Sequence, residues 1–137
     1  MSSLFAKLNL KSQPQILVVA APPSFEPELD ALQDVKIVRD PAALASIKFA
    51  LVFVTRQSDL DTLSQEAAKH STGDPILWFA YPKASSRRYA CDFNRDSGWD
   101  VLRGLGFDSV RQVAIDEDWS ALRFRRVQYI GGGRKRA

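Results

Sequence analysis

The sequence is poor in the residues that build metal centres and disulfides. It contains one cysteine, Cys91, and one histidine, His70. A single cysteine excludes an intramolecular disulfide and any multi-cysteine metal site, and a single histidine excludes most histidine-based metal centres. We therefore predict no metal site and no resident cofactor.

Long apolar runs are also absent. The longest, from Ile16 to Pro23, is far shorter than the roughly 20 residues that a helix needs to span a bilayer. Residues 1–11 contain two lysines but lack the apolar segment of a secretory signal. We expect a cytoplasmic protein that does not contact a membrane.

The chain carries little excess charge of either sign. Its formal net charge is +3, and the three basic residues at 134–136 account for that excess. Because the rest of the chain is neutral, we do not expect the basic surface that is typical of nucleic-acid-binding proteins. The three glycines before the basic residues predict a flexible tail over 131–137, and nucleic-acid association through this tail is a second alternative function.

Short apolar runs alternate with segments that predict helices. Continuous apolar runs of this length are typical of strands covered on both faces, and their alternation with helices predicts right-handed βαβ units. Asp40 before Pro41 predicts an N-cap and a helix over 42–47. The apolar runs are Gln15–Ala20, Val35–Val38, Phe49–Val54 and Pro75–Ala80.

The last part of the chain has a different pattern. Two β-rich runs, 108–115 and 119–127, are joined by three acidic residues at 116–118, which predicts an antiparallel hairpin. We expect the acidic residues to pair across the strands with Arg111, Arg123 or Arg125.

These elements predict an α/β fold: a three-layer Rossmann-like domain with a mainly parallel sheet that ends in a C-terminal antiparallel hairpin. We expect an N-terminal arm over residues 1–12, a single domain over 13–130 and the basic tail over 131–137.

This pattern resembles a reduced class I methyltransferase fold over roughly 15–127. Two stretches, 76–83 (ILWFAYPK) and 113–123 (VAIDEDWSALR), are similar to those of an uncharacterised family of small bacterial proteins. The resemblance implies a Rossmann-like fold and a cytoplasmic location, and it implies no particular activity.

The chain departs from a working methyltransferase at the turn after the first strand. Such enzymes place a glycine-rich turn there so that the backbone can approach the cofactor closely. Here residues 21–24 read APPS, and prolines lack the N–H groups that such a turn supplies. Asp40 stands near the position of the acidic residue that holds the ribose, but its place before Pro41 is equally explained by an N-cap.

Polar and basic side chains follow the third and fourth predicted strands. Ligands of open parallel sheets bind beyond the carboxyl ends of the strands, and arginines suit bidentate contacts with phosphate or carboxylate groups. We therefore predict a site for an anionic small molecule; without a ligand, the same residues would form a solvated polar loop. The candidate site residues are Thr55, Arg56, Tyr81, Lys83, Arg87 and Arg88.

No motif in the sequence marks a catalytic nucleophile or a phosphate-binding loop. We predict no catalytic residues, and a non-catalytic module that binds an anionic small molecule or a protein partner. The first alternative is a methyltransferase-like enzyme that uses S-adenosylmethionine.

Overall fold

A computed structural model describes residues 3–11, 13–94 and 97–130. The strands are β1 (Gln15–Val19), β2 (Lys36–Val38), β3 (Phe49–Phe53), β4 (Ile76–Pro82), β5 (Phe107–Ala114) and β6 (Trp119–Arg126). The helices are α1 (Ser3–Lys7), α2 (Glu26–Asp30), α3 (Gln57–Lys69) and α4 (Asp100–Gly104), and single 3-10 turns cover Pro23–Phe25, Pro41–Ala43 and Val127–Tyr129.

All six strands form one sheet in the order β2-β1-β3-β4-β6-β5. β1 pairs in parallel with both β2 and β3, and β3 pairs in parallel with β4. β6 runs antiparallel to both of its neighbours. The predicted Rossmann-like α/β fold, with a mainly parallel sheet and a C-terminal antiparallel hairpin, is confirmed.

The strand order creates a switch point at β1. The chain passes from β1 to β2 on one side and then crosses to β3 on the other side of β1. The connections therefore diverge at the carboxyl ends of β1 and β3, which leaves a crevice between them.

Helices cover both faces of the sheet. Successive residues of a strand point to opposite faces, so a continuously apolar strand has apolar side chains on both faces that must be buried. On one face, Leu60 of α3 and Leu102 of α4 pack with Phe79 of β4. On the other face, Phe5 of α1 packs in a cluster that contains Trp78, the residue before Phe79. These two apolar clusters make the domain three-layered.

The predicted helix over 42–47 is wrong. Asp40 does act as an N-cap, and its Oδ1 accepts a hydrogen bond from the Ala42 N–H at 3.0 Å. Only one 3-10 turn follows, because the backbone N–H of Ile47 donates to the carbonyl oxygen of His70 at 2.7 Å instead of continuing a helix. A single turn is costly to extend without packing support.

The predicted pairing of the acidic residues at 116–118 with the arginines of the hairpin is also wrong. Asp116 Oδ1 accepts the backbone N–H groups of Asp118 and Trp119 at 2.8 Å each. Asp118 accepts a hydrogen bond from Ser86 Oγ at 2.9 Å. Both carboxylates therefore stabilise the turn and the loop after β4, and Arg125 pairs with Asp74 instead, at 3.0 Å from Nε to Oδ1.

Within the ranges given above, no helix is long and apolar enough to cross a membrane. The basic tail at 131–137 lies outside the described residues, and the domain boundaries stay a prediction.

Ala20, the residue after β1, provides a test of backbone strain. Its φ is 58°, a left-handed conformation that favours glycine because it has no Cβ. We expect Ala20→Gly to raise the free energy of unfolding by about 0.5–1 kcal/mol in urea denaturation, since it relieves that strain. Ala31→Gly is the control: Ala31 has a φ of −77°, so the same change should lower the free energy of unfolding by about 0.5–1 kcal/mol. A loss of stability in both variants would contradict the left-handed assignment of Ala20.

Candidate functional site

A crevice of about 340 Å³ opens at the switch point of the sheet. Ligands of open α/β sheets bind at this position, and the volume lies near the lower end of the range for small-molecule sites. We call it the switch-point crevice. Its lining residues are Ala20, Ala21, Pro22, Pro23, Phe53, Thr55, Asp59, Tyr89 and Trp119.

The turn after β1 offers this crevice few backbone donors. Pro22 and Pro23 have no N–H group, and the carbonyl oxygen of Pro22 accepts the backbone N–H of Phe25 at 2.9 Å as the chain enters a 3-10 turn. A ligand must therefore be held mainly by side chains rather than by the backbone of this turn.

The side chains of the crevice are aromatic and acidic. Asp59, in the first turn of α3, supplies a carboxylate, and the described lining contains no lysine or arginine. The ring of Trp119 lies 5.1 Å from that of Phe53 and 4.9 Å from that of Tyr89, between centroids. Such a lining favours a ligand that carries positive charge and flat apolar groups.

Trp119, which lines this crevice, also carries an unsatisfied donor. Its side chain is 3% exposed, and its Nε1 has no hydrogen-bond partner in the part of the chain that the structure describes. Buried indole N–H groups usually have a partner. A ligand with an acceptor atom near Trp119 would satisfy this donor.

A larger cleft of about 1100 Å³ lies beyond the carboxyl end of β4. Tyr89 lines both cavities, so the two are adjacent. On the hairpin side, the Gln112 amide donates from Nε2 to Tyr81 Oη at 3.2 Å and to Ser120 Oγ at 3.0 Å. The lining residues are Tyr81, Pro82, Lys83, Ala84, Ser86, Tyr89, Ala90, Cys91, Asp92, Phe93, Asn94, Ser97, Gln112, Ala114 and Ser120.

Gln57, the first residue of α3, joins the rim of the larger cleft to that helix. Its backbone N–H donates to Asp92 Oδ1 at 2.6 Å, and its side-chain Nε2 donates to the carbonyl oxygen of Gly98 at 2.7 Å. The sequence carries no signal for these contacts, because the partners lie 35 and 41 residues away.

The residues of the predicted anionic site do not all lie together in the structure. Tyr81 and Lys83 line the larger cleft, and Thr55 lines the switch-point crevice. The arginines Arg56, Arg87 and Arg88 line neither cavity and are exposed. The site for an anionic ligand at these positions stays a prediction.

Asp59 and Tyr89 are candidate functional residues that sequence reasoning missed. Asp59 lies in the first turn of α3, four residues after Thr55. Its position close to the end of β3 is therefore a local signal that could have indicated it. Tyr89 lies in an irregular segment, and no periodicity predicts where such a segment folds back.

Cys91, on the wall of the larger cleft, is a free thiol. Burial raises the pKa of this thiol, and the negative charge of Asp92 raises it further. Because the thiolate is the reactive form, we expect alkylation by iodoacetamide to be slower at neutral pH than for a free cysteine peptide, and to increase only at more alkaline pH. A pH profile of labelling, read by mass spectrometry, checks this; a rate at pH 7 that matches the peptide would contradict it.

Among residues 3–11, 13–94 and 97–130, no three metal-ligating side chains are close enough to hold a metal ion.

Comparisons with known proteins show the fold. No family model matches the chain, and no curated protein is similar to it in sequence. Solved structures do match: a SAM-dependent methyltransferase from Aquifex aeolicus superimposes with a TM-score of 0.63 and 12% identity, covering 90% of this chain and 88% of the other.

Two further structures have the same architecture. The glycopeptide N-methyltransferase MtfA matches with a TM-score of 0.55 and 12% identity, over 87% of this chain and 91% of its own. The [4+2]-cyclase SpnF matches with a TM-score of 0.53 and 11% identity, over 90% of this chain and 78% of its own. The resemblance to the class I methyltransferase fold is therefore confirmed.

These matches contradict the predicted function. The similar structures are SAM-dependent methyltransferases and a cyclase rather than non-catalytic modules, so the prediction of a non-catalytic binding module is wrong. The missing glycine-rich turn does not remove the site, because the switch-point crevice exists without it.

Proposed function

We propose that this protein is a methyltransferase-like enzyme that binds S-adenosylmethionine in the switch-point crevice. The observation that carries the proposal is an acidic, aromatic crevice at the carboxyl ends of β1 and β3. Its lining residue Trp119 has a buried N–H with no partner among the described residues. A solved structure that shares the fold is a SAM-dependent methyltransferase, which supports the choice of cofactor.

The residues of the crevice fit this cofactor by charge and shape. S-adenosylmethionine carries a sulfonium and an amino group, both positive, together with a flat adenine ring. Asp59 matches the positive charge, and Tyr89 and Phe53 offer apolar ring surface. The Trp119 Nε1–H and the Thr55 hydroxyl supply hydrogen-bond donors in place of the absent backbone N–H groups of the turn.

When bound, the cofactor supplies an electrophilic methyl group on a sulfonium. The role of this chain is then to hold the reactants and to exclude water. Asp59 would stabilise the positive charge, and the rings of Tyr89 and Trp119, which are in contact, would close one side of the crevice.

The larger cleft is the proposed acceptor site. It adjoins the crevice at Tyr89, so a molecule bound there would lie beside the cofactor. The cleft combines the cationic side chain of Lys83 with the polar group formed by Gln112 and Ser120. A small acceptor with an anionic or polar group suits this lining, in agreement with the anionic partner predicted from the sequence. We also propose a cytoplasmic location, which the lone free Cys91 supports.

Calorimetric titration with S-adenosylmethionine tests the proposal. We expect saturable binding by the wild type. Asp59→Asn should weaken it by about 10–100-fold, because a charge-assisted contact contributes roughly 1.5–3 kcal/mol. Asp34→Asn is a matched control: Asp34 is exposed, and its φ of 60° is tolerated by asparagine. The absence of saturable binding by the wild type, or equal affinity in Asp59→Asn, would overturn the proposal.

Trp119→Phe tests the unsatisfied donor separately. It keeps an aromatic ring against Tyr89 and removes only the N–H group and part of the ring system. We expect affinity for S-adenosylmethionine to fall by about 5–10-fold, the value of a neutral hydrogen bond of roughly 1–1.5 kcal/mol. Unchanged affinity with an unchanged circular dichroism spectrum would contradict a role for this donor.

A further inference from the structure

Two arginines face each other across the C-terminal hairpin. Arg111 of β5 and Arg123 of β6 are directly paired in the strand register, so their side chains leave the same face of the sheet about 5 Å apart at Cβ. Val113 and Ala121, two residues further along each strand, belong to the apolar cluster on the α1 side. The arginines therefore lie on that face too, and Arg123 is beside Trp78 of the same cluster in the register of β4 and β6.

The neighbouring arginines of β6 have partners. Arg125 donates from Nε and Nη2 to the carboxylate of Asp74. Arg126 donates to the backbone carbonyl oxygens of Gly73 and Ser71, at 2.8 and 3.0 Å, and lies over the ring of Phe107 at 4.8 Å.

Arg111 and Arg123 lack such partners. In the described part of the chain, neither guanidinium lies within 4.0 Å of a carboxylate, and the buried Nε of Arg123 has no hydrogen-bond partner. The acidic residues of the hairpin turn do not supply one, since Asp116 and Asp118 bond the turn and the loop after β4.

This arrangement is electrostatically unfavourable without a counter-ion. Burial lowers the pKa of Arg123, and the positive charges of Arg125 and Arg111 lower it further, while the more distant carboxylate of Asp74 only partly opposes them. A guanidinium nevertheless remains charged in a protein, and like charges directly opposite on a sheet destabilise it. The pair is therefore complementary to an anion with several oxygen atoms.

We propose that Arg111 and Arg123 form a binding site for a phosphoryl group. A phosphate dianion balances two guanidinium charges and has enough oxygen atoms for a contact with each. The pair lines neither the switch-point crevice nor the larger cleft, so this site is independent of the proposed function. It also differs from the sequence-predicted anionic site, which included Arg87 and Arg88.

Titration with inorganic phosphate, read as thermal stabilisation and by calorimetry, tests the site. We expect phosphate to stabilise the wild type, and the double variant Arg111→Gln/Arg123→Gln to lose at least about tenfold in affinity. That variant should remain folded, because it removes a like-charge pair. The control Arg39→Gln/Arg103→Gln makes the same chemical change on two exposed arginines that already pair with carboxylates, and it should bind phosphate as the wild type does.

A second variant separates geometry from charge. Arg111→Lys/Arg123→Lys keeps both charges but removes the planar fork, so its affinity should fall well below that of the wild type. The proposal is overturned if the wild type shows no phosphate response, if the response survives Arg111→Gln/Arg123→Gln, or if the lysine variant binds phosphate as the wild type does.

A short single-stranded oligonucleotide, used in the same assay, distinguishes two sources of the phosphoryl group: a polynucleotide and a small phosphorylated molecule. Tighter binding than that of inorganic phosphate, with steep salt dependence, identifies a polynucleotide. Binding of phosphate without binding of the oligonucleotide identifies a small phosphorylated molecule.

Discussion

Replacing Gly98 with alanine is expected to lower the free energy of unfolding by about 2–5 kcal/mol. Gly98 has a φ of 98°, and a Cβ there would lie 2.7 Å from the Cβ of Phe93 and 2.5 Å from Gln57 Oε1. The left-handed backbone costs an L-residue roughly 1–2 kcal/mol, and overpacking against fixed neighbours costs roughly 1–3 kcal/mol. Urea denaturation followed by circular dichroism measures the loss.

The same change at Gly104 is the control. A Cβ at Gly104 would meet nothing within 4 Å, and the residue ends the short helix α4. Gly104→Ala should therefore be neutral or raise the free energy of unfolding by up to about 1 kcal/mol. If both variants lose the same stability, the close approach of Gly98 to Phe93 is not the cause.

Gly98 also bears on the larger cleft. Its carbonyl oxygen accepts from Gln57 Nε2, and Gln57 holds Asp92 through its backbone N–H. A displaced Gly98 would therefore move one rim of the cleft in the folded fraction. The switch-point crevice, which Gly98 does not line, should keep its shape, so the proposed binding of S-adenosylmethionine should not change.

Trp78→Ala is expected to lower the free energy of unfolding by about 3–5 kcal/mol. Trp78 is fully buried in β4, and its Nε1 donates to the carbonyl oxygen of Leu8 at 2.8 Å, which joins the N-terminal segment to the sheet. Truncation of a buried tryptophan leaves a cavity and also leaves that carbonyl without its donor. Urea denaturation gives the loss, and faster tryptic cleavage after Lys7 should accompany it.

A second variant at Trp78 separates the hydrogen bond from the buried ring, and an exposed aromatic residue provides the control. Trp78→Phe keeps most of the buried ring surface and removes the hydrogen bond, so its cost should be smaller, about 1–3 kcal/mol. Tyr129→Ala removes an aromatic side chain that is 40% exposed and should change stability by about 0.5 kcal/mol or less. A Trp78→Ala loss as small as that of Tyr129→Ala would contradict the docking of residues 3–11 on the sheet.

The fold could be predicted because its signals are local. The runs that became β1, β3 and β4 are continuously apolar, and a strand must be apolar on both sides when helices cover both faces. The polar turn at 116–118 predicts the hairpin, together with the alternation that buries Phe124 fully and Arg123 only in part.

An N-cap residue in the sequence predicts where a helix begins but not how long it is. Asp40 caps one turn and no helix, because a cap contributes only about 1 kcal/mol and cannot compensate for missing packing contacts. The path of residues 42–47 is instead determined by the hydrogen bond from the Ile47 N–H to the His70 carbonyl oxygen, which joins residues far apart in the chain.

The sequence by itself determined the α/β class, the parallel direction of the first strands, the hairpin and the lack of a cysteine cluster, since each depends on composition or on periodicity within a few residues. Only the tertiary structure decided which side chains meet. It placed Asp59, Tyr89 and Trp119 around one crevice and separated Arg87 from Lys83. It also put Arg111 opposite Arg123, with no carboxylate of the described residues within 4.0 Å of either guanidinium. The physical reason is that the order of the strands and the paths of the loops bring together residues dozens of positions apart in the sequence. No pattern within a few residues encodes which of them meet.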